Sequence, residues 1–174
     1  MITIVAENAN DAFERSYAEL LSSGIDFNGT KALFNFCIEI INPGDNIITN
    51  EKRSWSLKYA LREWNWYLSG DRSVKELKKH APLWDKMHGG DDMVWSNYGY
   101  HWLQNNQLGN CIEELRSNPF SRRAVISIFD GKMREHYKFD TPCTLSIHFQ
   151  IFNDSLNMSI NMRSNDNWYG FCKK

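Results

Sequence analysis

Residues 141–166, TPCTLSIHFQIFNDSLNMSINMRSND, constrain the fold more than any other stretch of the chain. Leu145, Ile147, Phe149 and Ile151 alternate with Ser146, His148 and Gln150, and Leu156, Met158, Ile160 and Met162 alternate with Asn157, Ser159, Asn161 and Arg163. A period of two gives each run one apolar and one polar face, so both read as strands, doubled back at the 153–155 turn. Counted by parity, Cys143 falls in the apolar set, which makes it a core cysteine. It also stands at the strand's start, just after Pro142, and strand ends are where sites lie.

The rest of the chain reads as helices followed by strands. Residues 2–5 are a short β-like run. Phe13, Tyr17, Leu20, Leu21 and Gly24 have helical spacing, with Asn10 or Asp11 as N-cap and Gly24 as C-cap. Residues 32–41 read as a strand closed by the NPGDN turn. Residues 54–68 predict a strongly aromatic helix, 73–80 a short one, 87–102 a loop, and 104–117 a helix stopped at Asn118-Pro119. Strands are expected at 123–129, 143–152 and 156–163. Helices first and strands later argue for an α+β fold in a single domain over 1–174.

Composition excludes several classes. A formal net charge of −1 carries no footprint for polymeric nucleic acid or a membrane surface. No apolar run approaches a membrane span, and MITIVAENAND lacks the basic start of a signal peptide, so the default location is cytoplasmic. Cys37, Cys111, Cys143 and Cys172 lack CxxC spacing, which predicts free thiols and no zinc site. The seven Trp suit either an aromatic core or a pocket that stacks flat ligands.

A few residues could carry chemistry. A nucleophilic thiol needs positive charge nearby, and Arg163, returned by the turn, could supply it to Cys143. Arg122 and Arg123 open a strand; they are either solvated, paired to carboxylates, or a bidentate anion site. Glu63, in LREWNWYL, is either a surface carboxylate or one desolvated among aromatics for proton transfer. His80, His88, His101 and His148 show no metal spacing, and His148 suits a structural hydrogen bond.

Taken in order, REWNWYLSGD (62–71), PLWD (82–85), SNYGYHW (96–102), NPFSRR (118–123), TPCT (141–144) and MRSND with the glycine of WYGF (162–171) resemble the successive motifs of thymidylate synthases and the pyrimidine nucleotide hydroxymethylases. The resemblance implies a thymidylate-synthase-like fold. In it helices pack on a mostly antiparallel or mixed sheet that forms a homodimer interface. It implies one-carbon transfer from 5,10-methylenetetrahydrofolate to C5 of a pyrimidine deoxynucleotide monophosphate through a covalent adduct. Conversion of dUMP to dTMP leads, with a dUMP or dCMP hydroxymethylase as the alternative. By the same resemblance Cys143 is the nucleophile, and Glu63 orders water and moves protons. Tyr98 lines the site, and Arg163 meets both phosphate and thiolate. Ser164 binds phosphate, and Arg122 and Arg123 reach a partner's phosphate. Lys52, Trp84, Asp166 and Gly170 lie on the folate side.

The sequence departs from the family pattern at three points. Thr144 follows the cysteine where synthases have His, which leans toward the hydroxymethylases. Lys31 is the only cation near the expected N-terminal phosphate loop, a point charge without a bidentate fork. The chain also ends at GFCKK, ahead of the family's base-reading and lid segments, as a C-terminally truncated member would. A non-catalytic remnant that keeps the sheet interface, or a phosphate-binding domain built on Arg122, Arg123 and Arg163, are the readings from other classes.

Overall fold

In a computed structural model of the chain, residues 2–168 and 170 are described. They form two compact units, one of residues 2–57 with 165–168 and 170, the other of residues 58–164.

The first unit holds β1 (Ile2–Ala6), α1 (Ala9–Ser23), the hairpin strands β2 (Ile25–Phe27) and β3 (Thr30–Ala32), and β4 (Phe36–Ile40). β1 and β4 pair in parallel, from Ile2 opposite Phe36 to Ala6 opposite Ile40. The N-cap of α1 is Asn8, two residues ahead of the expected Asn10, and its side chain accepts the Asp11 N–H. Asp11 in turn accepts the Glu7 N–H at 3.0 Å, so both flanking residues are spent on one cap. The run 32–41 is not one strand. It breaks at Asn35, whose φ of 54° leaves the extended region. Trp168 packs on Phe13 and Tyr17 of α1 with ring centroids 5.7 and 5.5 Å away.

The second unit holds α2 (Leu57–Ser69, all but its first residue), α3 (Tyr98–Leu103), α4 (Gln107–Ser117), β5 (Val125–Ser127), β6 (Thr144–Phe152) and β7 (Ser155–Met162). The sheet is antiparallel in the order β5-β6-β7. Its apolar face meets the helices through Ile126, Ile147, Trp66, Tyr67 and Tyr98. On β7 that face is open among the described residues: Leu156, Met158 and Ile160 are all exposed.

α2 begins three residues later than expected, because Ser54 adopts φ 48° and closes a separate 3-10 turn over Glu51–Arg53. The expected loop 87–102 ends in a helix instead. Asn97 caps α3 by accepting the Tyr100 N–H, and its amide donates to the Trp66 and Asp71 carbonyls. Gly99 is what lets α3 press on α2, since a Cβ built there would overlap the Tyr67 carbonyl. Gly99→Ala should therefore cost about 3 kcal/mol, as overpacking does in a closed core. Equilibrium urea unfolding measures it, and a wild-type midpoint would contradict the close approach.

Candidate active site

Cys143 stands just ahead of β6, where the register decides which way its thiol faces. Thr144 pairs with Met162, but Ser146 pairs with Asn161, so Leu145 is an extra residue in β6. Directly opposed residues share a face. Thr144 therefore lies with Met162, Ile160 and Ile147 on the apolar side, and it is buried. Cys143, one residue earlier, is returned to the side of Ser146, Asn161 and Arg163. The bulge corrects the expectation that parity places Cys143 in the apolar set, since one inserted residue reverses the count.

Five contacts then hold the Cys143 segment. Arg163 donates from Nε to the Pro142 carbonyl and from Nη2 to the Thr141 carbonyl, both at 3.0 Å, and its Nη2 lies 4.0 Å from Cys143 Sγ. The Arg163 main-chain N–H donates to the Cys143 carbonyl at 2.9 Å. The Cys143 N–H donates to the Tyr98 hydroxyl at 3.3 Å. A sulfur beside a guanidinium is the setting in which a thiol acts as a nucleophile.

The carboxylate partner comes from α2. Tyr59, Glu63 and Tyr67 recur every four residues and so line one face. Glu63 is buried, at 9% exposure. Burial, then the Glu63 charge, pushes the Tyr59 hydroxyl up to about 12, against the pull of the Trp84 indole N–H that it accepts. Burial raises the Tyr67 hydroxyl well above its ordinary value, helped by Glu63, Tyr98, Tyr59 and Asp140. The Tyr67 and Tyr98 rings lie 5.6 Å apart. Glu63 and the Tyr98 hydroxyl that holds Cys143 are thus gathered around one buried phenol.

The structure does not bring every expected residue to this place. Arg122 and Arg123 are exposed, and Arg123 pairs with Glu114 at 2.8 Å. That pair and the Ser121 hydroxyl hold the Glu114 carboxyl below its usual range, the hydroxyl being the larger cause. Val125 opposes His148, five residues along β6 from Cys143, or roughly 16 Å at strand rise. Arg122 and Arg123 lie beyond Val125, out of reach of the thiol in the same chain. Ser164 is exposed directly after Arg163. Trp84 is a wall residue, 8% exposed, donating its indole N–H to Tyr59 at 2.7 Å. Lys52, Asp166 and Gly170 belong to the first unit, with Lys52 and Asp166 exposed. Lys31, also there, sits 3.6 Å from Asp26. His148 Nε2 is buried without the expected hydrogen-bond partner among the described residues, and Cys172 lies outside them.

Sequence reasoning missed Asp140. It is 4% exposed and accepts the Trp95 and Ser96 N–H groups, both at 2.6 Å, and the Ser96 hydroxyl. An acid three residues before the candidate nucleophile, between Phe139 and Pro142, was the available signal.

A thiol beside a guanidinium and a buried carboxylate among tyrosines thus stand on an α+β scaffold. The family model for thymidylate synthase matches residues 26–172, and the chain belongs to that family. Over 122 residues it is 33% identical to the deoxycytidylate 5-hydroxymethyltransferase of Enterobacteria phage T4, covering 66% of this chain and 50% of that protein. The enzymes of phages T2 and T6 match to the same extent. The chain thus spans about half the length of the curated relatives it matches. Among solved structures, the thermostable thymidylate synthase A of Bacillus subtilis superposes with a TM-score of 0.65 at 20% identity, over 94% of this chain and 67% of that one. That likeness shows the fold.

The tyrosines give the site an alkaline limit. Below pH about 10, folded and unfolded chains both keep the Tyr59 proton, and its contribution is fully present. Above that the unfolded chain ionises first, so stability falls until the folded Tyr59 titrates at about 12. Tyr59→Phe should be less stable than wild type by about 1 kcal/mol at neutral pH, having lost the Trp84 bond. The gap should narrow or reverse as pH rises through this window. Denaturant midpoints across pH test it, and a constant gap would refute it.

Proposed function

We propose that the chain carries the nucleophilic site of one-carbon transfer to C5 of a pyrimidine deoxynucleotide monophosphate. The observation that carries this reading is the bulge-directed pairing of Cys143 with Arg163. The Cys143 sulfur adds its electron pair to C6 of the ring, the C5=C6 electrons are taken up by the polar group at C4 (the carbonyl of uracil or the amidine of cytosine), and C5 becomes the nucleophile. 5,10-Methylenetetrahydrofolate supplies the one-carbon unit that C5 takes. A base then removes the C5 proton, which lets the transferred carbon part from the folate nitrogen, released as tetrahydrofolate, and take up water in its place. Expulsion of Cys143 restores the ring double bond and the free thiolate. Glu63, buried beside Tyr67, suits the ordering of water and the proton movements of these steps. Tyr98 and Arg163 hold the segment that bears the sulfur.

The hydroxymethyl branch, in which water caps the transferred carbon, is the one we favour. The 33% identity to deoxycytidylate 5-hydroxymethyltransferases supports it, and so does Thr144 after the nucleophile. Methylation of dUMP is the other outcome. The donor set fits a folate in kind, since an exposed Lys52 ammonium suits its anionic tail and the Asp166 carboxylate suits a hydrogen-bonding ring edge. Trp84 serves as a wall behind Tyr59.

Arg122 and Arg123 act on the phosphate held by a second copy of the chain, with the polar face of β6 and β7 as the seam. Their distance from Cys143, their exposure and the polar pairing of Ser146 with Asn161 at 3.2 Å support this. Incubation with a 5-fluorinated deoxyuridylate or deoxycytidylate and methylenetetrahydrofolate should trap an adduct at Cys143, seen as a mass increase on its peptide. Cys143→Ser should abolish it. An adduct elsewhere, or none even when the chain is supplemented with the C-terminal portion of a family member, defeats the reading.

A further inference from the structure

We propose that Asp140 is a positioning residue for the nucleophile, holding Cys143 in register with the segment that bears Tyr98. The inference rests on the reading of Cys143 as the reacting thiol. It starts from a cost: a carboxylate at 4% exposure is kept charged only if its oxygens are satisfied. Here one oxygen accepts two consecutive backbone N–H groups, those of Trp95 and Ser96 at 2.6 Å each, and the other accepts the Ser96 hydroxyl. Bonds to an ionised acceptor are roughly twice as strong as neutral ones.

The position of these bonds gives them meaning. Residues 95–98 run beside residues 140–143 and meet them at both ends. Asp140 takes the N–H groups of Trp95 and Ser96, and Tyr98 takes the N–H of Cys143 at 3.3 Å. Between the two ends Pro142 is fully buried, and the Thr141 hydroxyl donates back to the Tyr137 carbonyl at 2.9 Å. Arg163 closes the other side on the Thr141 and Pro142 carbonyls. Without Asp140 the segment loses its charged hold on residues 95 and 96 and relies on the neutral Tyr98 contact toward α3. The sulfur would then wander from its 4.0 Å station at Arg163.

Charge and position make opposite predictions, which allows a clean test. As a negative charge three residues from the thiol, Asp140 disfavours the thiolate, so its removal by field alone would speed alkylation. As an anchor, its removal slows alkylation. Peptide-resolved iodoacetamide labelling of Cys143 across pH, with Cys37 as internal control, should show Asp140→Ala about tenfold slower near neutrality. Its profile should move to higher pH while the circular dichroism stays native. Asp140→Asn, which can still accept both N–H groups, should match or exceed the wild-type rate. An Asp140→Ala chain labelled as fast as wild type, or faster, overturns the proposal.

Amide exchange in the unaltered chain tests it without any variant. The N–H groups of Trp95, Ser96 and Cys143 should open together with one protection factor. A Cys143 amide exchanging orders of magnitude faster than the other two overturns it. Neither measurement requires turnover, so a failed adduct with the fluorinated nucleotide would count against the proposed reaction and leave this result to stand or fall separately.

Discussion

Leu145, the extra residue at the entry to β6, sets the two faces of the second unit against each other. Downstream of it, alternation follows the core: Ile147 is buried opposite Ile126 on one side and Ile160 on the other. Upstream, the same alternation runs out of phase. Thr144 takes the buried place that the count would give to Cys143. A regular strand with this sequence would put the thiol inside the core, where burial disfavours the charged form it needs. The bulge spends one unpaired residue to put sulfur and guanidinium on the same side, and the Arg163 fork on two carbonyls keeps the shape from relaxing.

That fork sets how the Arg163 side chain lies. Its Nε and one terminal nitrogen are engaged by main-chain carbonyls, which fixes the plane of the guanidinium. Arg163 is otherwise exposed, and among the described residues no hydrogen bond to oxygen engages its remaining donors. Lysine could supply the charge but not this division of donors. The exposed Ser164 directly follows it along the chain.

How much of this was legible from the sequence depended on range. The alternation of 145–151 and 156–162 located β6 and β7 to within a residue or two, because each apolar face repeats four times. The aromatic run located α2, though its start slipped to Leu57 once Ser54 turned left-handed. The α3 helix was hidden because Gly, Asn and Ser density reads as loop; Asn97 caps it, and Gly99 is there for the close approach to Tyr67. The six ordered motifs identified the family, and the resemblance added Cys143, Glu63, Tyr98 and Arg163 as expected site residues. Periodicity could not show the bulge, since a single inserted residue leaves both flanking patterns intact. Nor could it show Asp140, whose partners are 44 and 45 residues away.

α2 shows what the site demands of its scaffold. The usual helix buries its apolar stripe and exposes its charges. Here Leu61, Trp64 and Leu68 are 50–55% exposed, while Glu63 on the opposite side is 9% exposed. Tyr59 and Tyr67 flank the carboxylate one turn either way, with hydroxyls raised first by their own burial and then by its charge. A sequence selected for stability alone would place leucine at 63 and the carboxylate at 61 or 64. The inversion holds only because tyrosine accommodates a buried charge without carrying one, and local rules of this kind are broken where chemistry requires it. The same inversion leaves the outer face of α2 apolar, so the helix is shaped on both sides by something other than water: a carboxylate site within, and a surface without that favours burial.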